Sequence, residues 1–217
     1  MMIQLKRFAF NMFDENTYVL WDDESKECVI IDPGCYEKYE ELELQNFIID
    51  NDLVVKYLIN THCHIDHIFG CKFVKEKFNP SYLASEKDLP LLQNINTQAK
   101  MIGIESFTPI LPDEYLTENT KLKLGSSELK FLFTPGHSPG EYCIYLPEEK
   151  ICITGDVLFY NSIGRTDLWG GNYDMLINSI RHKLLTLPDE TIIFPGHGEK
   201  STIFKERTQN PFLKAIN

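Results

Sequence analysis

The residues of this sequence best equipped for chemistry are histidines and aspartates that follow apolar runs. His62 and His64 stand two apart in Thr61-His62-Cys63-His64-Ile65-Asp66-His67. In extended backbone their imidazoles project to the same side while Cys63 points away. Two imidazoles on one side suit a borderline cation such as Zn²⁺, or Fe or Mn. Asp66 and His67 follow where the chain turns toward a helix, placed to face a second ion beside the first. His137 in Pro135-Gly136-His137, Asp156 in Thr154-Gly155-Asp156 and His197 in Pro195-Gly196-His197-Gly198 bring the set to seven donors. Seven exceeds what one tetrahedral ion with an open position uses, and suits two ions sharing one carboxylate. A lone histidine after a strand is ordinarily a hydrogen-bonded loop residue. Here five of the six histidines follow this pattern, three of them in one short stretch beside an aspartate. The sixth, His182, lies between Arg181 and Lys183 and reads as a solvated helix residue.

Such donors need a scaffold that carries distant loops to one rim. Short runs rich in β-branched and aromatic residues recur at Thr17–Leu20, Cys28–Ile31, Val54–Ile59, Leu129–Phe133, Tyr142–Leu146, Ile151–Thr154 and Thr191–Phe194. Each is bounded by Gly, Pro, Asp or Asn, which predicts strands. Helical patterns fill Glu37–Ile49, Ile68–Phe78, Lys87–Met101 and Tyr173–Leu185, with a shorter one at Ser201–Arg207. Strands mixed with helices in this order predict packed α/β layers. The donors follow Val54–Ile59, Leu129–Phe133, Ile151–Thr154 and Thr191–Phe194, and α/β folds gather ligands in the loops beyond strand ends.

The composition frames these readings. The 217 residues are 43% hydrophobic and 24% charged, which is ordinary for a globular protein. No internal repeat, heptad run or Gly/Ser linker interrupts them, so a single domain over 1–217 is predicted. Acidic residues outnumber basic ones, 32 to 21, for a net charge of −11, and no Lys/Arg cluster offers a footprint for nucleic acid or an anionic membrane. No stretch approaches the roughly 20 apolar residues of a membrane span. The opening MMIQLKRFAFNMFDENTY lacks the apolar run of a secretory signal. Cys28, Cys35, Cys63, Cys71, Cys143 and Cys152 form no Cys-x-x-Cys pair and read as reduced thiols. A cytoplasmic protein is the expectation.

The ordered motifs Thr61-His62-Cys63-His64-Ile65-Asp66-His67, Pro135-Gly136-His137, Thr154-Gly155-Asp156 and Pro195-Gly196-His197 resemble the metallo-β-lactamase fold superfamily, and most of all its glyoxalase II branch, the hydroxyacylglutathione hydrolases. The resemblance extends from Asn16-Thr17-Tyr18 and Ile31-Asp32-Pro33-Gly34 to Glu206–Phe212. It implies an α/β fold of four layers, an αββα sandwich with the metals on one rim. It also implies His62, His64 and His137 on one ion, Asp66, His67 and His197 on the other, and Asp156 bridging. Two divalent ions, most simply Zn with Fe or Mn also suitable, beside Asp66, Asp156 and one hydroxide leave a charge of about +1 to meet a developing oxyanion. The implied reaction is attack by that bridging hydroxide on a carbonyl, with Asp66 and Asp156 as the catalytic carboxylates. A thioester suits such a site, because its thiolate leaves without a dedicated acid.

Other branches fit less well. The commonest secreted β-lactamases look different, with a metal-binding cysteine in place of the bridging aspartate, where this chain has Asp156. Flavodiiron proteins carry Glu in place of His64. Lactonases keep all seven ligands and stay open. Persulfide dioxygenases resemble the chain at Asn60–His64 and Gly164-Arg165-Thr166-Asp167, and would use one Fe(II) on His62, His137 and Asp156; Pro195-Gly196-His197-Gly198 follows the hydrolases instead. A non-catalytic metal-binding protein is a remote alternative, since no ligand is missing. Full-length glyoxalase II carries a further helical domain that contributes glutathione contacts, so resemblance to the short bacterial type leaves S-lactoylglutathione level with other acyl thioesters. Arg165 either pairs locally with Asp167 or meets a substrate carboxylate. Asp32 reads as a turn or supporting residue, Cys63 as a small buried one, and Lys87–Tyr115 as core, with a cap over the site or a dimer contact as the alternatives.

Overall fold

The computed structural model describes residues 3–214. The chain divides into two compact units. The first runs to Leu116 and takes in Lys123–Ser126; the second holds Thr117–Leu122 and the described residues from Ser127 on.

The first unit is built on six strands in sequence order: β1 (Ile3–Phe10), β2 (Glu15–Asp22), β3 (Glu27–Ile31), β4 (Val54–Ile59), β5 (Ser81–Ala84) and β6 (Glu114–Tyr115). The pairs β1–β2 and β2–β3 are antiparallel, while β3–β4, β4–β5 and β5–β6 are parallel. Parallel neighbours require crossovers. Here these are α1 (Lys38–Asp50) before β4, then α2 (Ile65–Ile68) and α3 (Cys71–Phe78) before β5, then α4 (Leu89–Gln93) and α5 (Ile95–Met101) before β6. A capping box between Glu37 and Glu40 starts α1, and Leu44 and Ile48, one turn apart, are its buried apolar residues. They join Val19, Ile30, Leu58 and Val74 in the core.

Two helices expected to be continuous are broken. The helix expected over Ile68–Phe78 splits at Gly70, whose N–H donates to Pro33 O (2.7 Å). A Cβ at Gly70 would stand 2.2 Å from Cys35 Sγ, so close packing and not propensity sets the break. Lys87–Met101 splits at Asn94, whose amide folds back onto Pro90 O (2.9 Å). In that stretch Leu91, Leu92, Ile95 and Ala99 are core and Ile104 and Phe107 pack against it, but Met101 and Tyr115 are exposed.

The division falls within β7 (Leu122–Leu124), and the second unit carries β8 (Ser127–Phe133), β9 (Tyr142–Leu146), β10 (Ile151–Gly155), the hairpin β11 (Leu158–Phe159) and β12 (Ser162–Ile163), then β13 (Ile192–Pro195) and β14 (Ser201–Thr202). Its sheet has the order β14-β13-β10-β9-β8-β7. The pairs β8–β9 and β9–β10 are antiparallel and β10–β13 is parallel, so β8, β10 and β13 run the same way and end at one edge. α6 (Tyr173–Ser179) is capped by Asn172, whose side chain accepts from Met175 N. It passes into a wider turn over Ile180–Leu184, with exposed His182, closed by Leu185 N to Ile180 O (2.8 Å). α7 (Ile203–Gln209) and α8 (Pro211–Lys214) follow. Leu158, Leu176, Ile180, Ile193 and Ile203 form the core. Among the described residues no helix is long and apolar enough to cross a membrane.

Candidate functional site

In the first unit, Ile31 of β3 lies opposite Ile59 of β4, so both chains leave the sheet at the same edge. There Asp32 takes a left-handed φ of 48° and donates its N–H to Ile59 O (2.9 Å). Its buried carboxylate turns onto the segment after β4. Oδ1 accepts from Thr61 N (2.7 Å) and Asn60 Nδ2 (3.2 Å), and Oδ2 from Thr61 Oγ1 (2.6 Å). Oδ2 also stands 3.2 Å from His67 Nδ1, while Thr61 Oγ1 stands 3.1 Å from His62 Nδ1. One polar hub thereby fixes the Nδ1 edges of two buried histidines and turns their Nε2 corners the other way. Metal-ligating histidines are held like this, with a partner on one ring nitrogen orienting the other.

The rings crowd together. Centroids are 4.1 Å apart for His62 and His67, and 4.8 Å for His62 and His64. Asp66 Oδ2 lies 3.8 Å from His67 Nε2. Asp32 thus has the supporting place expected of it. Cys63 is buried and gives its N–H to Asp88 Oδ2 (3.0 Å); burial and the Asp88 charge push its thiol well above the usual range, which keeps it inert. The sequence reading did not anticipate Glu15. It is buried, accepts from Thr17 Oγ1 (3.0 Å) and reaches within 3.8 Å of His67 Nδ1. Burial holds its carboxyl well above the ordinary carboxylate range.

In the second unit, Asp156 follows β10 and His197 follows β13. Gly196 N donates to Gly155 O (2.7 Å), which ties the two parallel strand ends together. Asp156 Oδ2 then stands 3.5 Å from His137 Nε2 and 3.7 Å from His197 Nε2. His137 Nδ1 faces Arg165 O at 2.8 Å. Asp156 N–H donates to Glu141 Oε1 (2.7 Å), a second buried glutamate without a sequence signal. Gly164 seals the back: a Cβ there would fall 1.8 Å from Asp156 O and 3.2 Å from His137 Cβ. Arg165 makes a two-pronged pair with Asp167 (2.7 and 2.6 Å) at the surface, which holds the Asp167 carboxyl down to about 2.

The donors fit a metal. The separations of 3.5 and 3.7 Å around Asp156 Oδ2 are long for hydrogen bonds. They approach the ~3.3 Å between two ligands that a tetrahedral ion holds at about 2.0–2.1 Å. Imidazole nitrogens with carboxylate oxygens are the donor chemistry of Zn, Fe and Mn. Within the first unit His62 and His67 share the Asp32 hub, and within the second His137 and His197 flank Asp156.

Comparison with known proteins agrees with this donor chemistry. A model of the Metallo-beta-lactamase superfamily matches residues 11–197. The chain belongs to the metallo-β-lactamase superfamily. It is 40% identical to the hydroxyacylglutathione hydrolase GloC of Haemophilus influenzae over 205 residues, 94% of each chain. Among solved structures it is similar to the BLEG-1 B3 metallo-beta-lactamase, with a TM-score of 0.89 and 35% identity over 97% of this chain and 99% of that one. It is also similar to TTHA1623 in a di-iron-bound form, with a TM-score of 0.84 and 33% identity over 96% of this chain and 100% of that one. As a superfamily member it has the family's α/β fold, and it is a metallo-hydrolase by family with a His/Asp cluster able to bind metal.

Proposed function

We propose that this superfamily member is a binuclear metal-dependent hydrolase of small acyl thioesters, of the glyoxalase II type, working in the cytoplasm without a nucleic-acid or membrane partner. The observation that carries the reading is that one oxygen, Asp156 Oδ2, lies near both His137 Nε2 and His197 Nε2. Those histidines belong to different ions in the ligand set expected from sequence, which supports Asp156 as the carboxylate that would be shared between them. In that expected set His62 and His64 would join the first ion's ligands, and Asp66 and His67 the second's.

When bound, such an ion pair supplies hydroxide at neutral pH and a Lewis acid for the acyl oxygen. The chain supplies the rest. Asp32 and Thr61 set the His62 and His67 rings, and the Arg165 carbonyl sets His137. Asp66 and Asp156 offset part of the cationic charge. No side chain has to protonate the leaving group, because a thiol with a pKa near 8.5 departs as thiolate. The Arg165 carbonyl lies on His137, and its exposed guanidinium, paired with Asp167, would exchange that partner for a carboxylate of an acylated thiol such as S-acylglutathione. The identity with the Haemophilus hydroxyacylglutathione hydrolase supports that substrate class.

The likeness to a B3 metallo-beta-lactamase favours a second reading, β-lactam hydrolysis. One metal-loaded preparation assayed on S-lactoylglutathione, other acyl thioesters and a β-lactam separates the two. Thioester turnover with background β-lactam cleavage is the expected result; the reverse overturns the first reading.

A further inference from the structure

We infer that Asn11 is a positioning residue for Asp66, an inference that rests on the proposed role of Asp66 as a metal ligand. Asn11 occupies the tip between β1 and β2 in a left-handed conformation, φ 54°. Its Oδ1 accepts from Phe13 N (2.9 Å), which fixes the amide's orientation and turns Nδ2 the other way. Nδ2 donates to Gly34 O (2.9 Å) and to Asp66 O (3.1 Å), 55 residues along the chain.

The carbonyl it reaches is one the helix cannot serve. Asp66 sits in the first turn of α2, whose four residues are too few to hold helical geometry on their own. The N–H one turn on, that of Gly70, donates to Pro33 O instead. Asn11 therefore supplies to Asp66 O the kind of hydrogen bond a longer helix would have supplied from within. Asp66 is also the least enclosed of the first unit's four donors, its side chain 17% exposed while His62 and His67 are fully buried, so its direction depends most on its backbone.

The tether has no slack. Asn11 N–H donates to Glu40 Oε1 (2.7 Å), and Glu40 Oε2 accepts from Tyr36 N (2.7 Å) and Glu37 N (2.9 Å), anchoring the tip to the start of α1. At Gly34 a Cβ would meet Glu15 Oε2 at 2.0 Å, Asn11 Nδ2 at 2.7 Å and Asp66 O at 2.8 Å. Asn11 and Gly34 thus both close on Asp66 O, and the Asn11 amide gives it a hydrogen bond.

A left-handed Asn also serves as a plain turn residue, and the test separates the two roles. Asn11→Gly keeps the backbone conformation without strain and removes the amide; Asn11→Ala removes the amide and adds strain. Chelator-competition titration of metal into apoprotein, with a urea midpoint for each variant, gives readouts apart from turnover. The expected result is that Asn11→Gly and Asn11→Ala both bind the weaker-held ion about tenfold less tightly, with only Asn11→Ala losing further stability. Wild-type affinity for both ions in Asn11→Gly overturns the inference, as does failure of Asn11→Gly to fold. The wild-type stoichiometry in the same titration tests the binuclear reading by itself, so the two fail separately.

Discussion

The two donor-bearing regions reach the same kind of geometry by opposite routes. In the first unit, four donors come from one stretch, His62–His67, and local hydrogen bonds from Asp32 and Thr61 aim the rings. In the second, His137, Asp156 and His197 come from three separate loops, and sheet topology brings them together through the shared direction of β8, β10 and β13. The first is a motif that carries its own supports; the second exists only once the sheet has formed. Each region has one donor nearer the surface: Asp66 in the first, its side chain 17% exposed, and His197 in the second, 27% exposed.

The largest expected effect falls on the dispersed region. Asp156→Ala removes the oxygen near both His137 and His197, and should lower kcat by about 10³-fold or more and release metal, read by elemental analysis. Retention of two ions would break the assignment of Asp156 as the bridge. Next comes the hub of the contiguous region. Asp32→Ala strips Thr61 N–H, Thr61 Oγ1 and Asn60 Nδ2 of a buried acceptor, at a cost of about 3 kcal/mol in urea unfolding. Gly164→Ala should cost about 2 kcal/mol through the clash with Asp156 O, while leaving His62–His67 intact.

The smallest effect belongs to the exposed pair. Arg165→Ala should leave stability unchanged, since surface pairs contribute little, but raise KM for a thioester bearing a carboxylate. The Arg165 hydrogen bonds hold the Asp167 carboxyl at about 2 in the folded protein, so its small contribution is present above the ordinary carboxylate pKa and fades as pH falls toward 2. In the variant that carboxyl should titrate upward, toward its ordinary value, as followed by NMR. An unchanged KM would leave Arg165 as a loop pin only.

The same contrast explains what could be read from sequence. All seven predicted strands are present, from β2 and β3 through β4, β8, β9 and β10 to β13, because each is apolar enough to be recognised alone. β1 was not anticipated: Lys6 and Arg7 interrupt its run, and its pattern appears only once β2 pairs with it. The short strands β5, β6, β7, β11, β12 and β14 carry too few residues for any periodicity. Donor types were readable because five of the six histidines follow apolar runs, three of them within His62–His67 beside Asp66. Their supports were less so: Glu15, Glu40 and Glu141 are buried glutamates, a residue type ordinarily at the surface, and only contacts in the folded chain reveal their partners. The helix break at Gly70 is set by packing against Cys35, while that at Asn94 comes from a local bond of its amide to Pro90 O.

The central claim is that the seven donors hold two ions. Elemental mass spectrometry on protein expressed and purified without chelators tests it most directly. The account predicts close to two ions per chain, whether Zn, Mn or Fe, in the same preparation that cleaves acyl thioesters. Close to one iron per chain, with the fold intact, would contradict it and shift the chemistry toward a mononuclear iron centre.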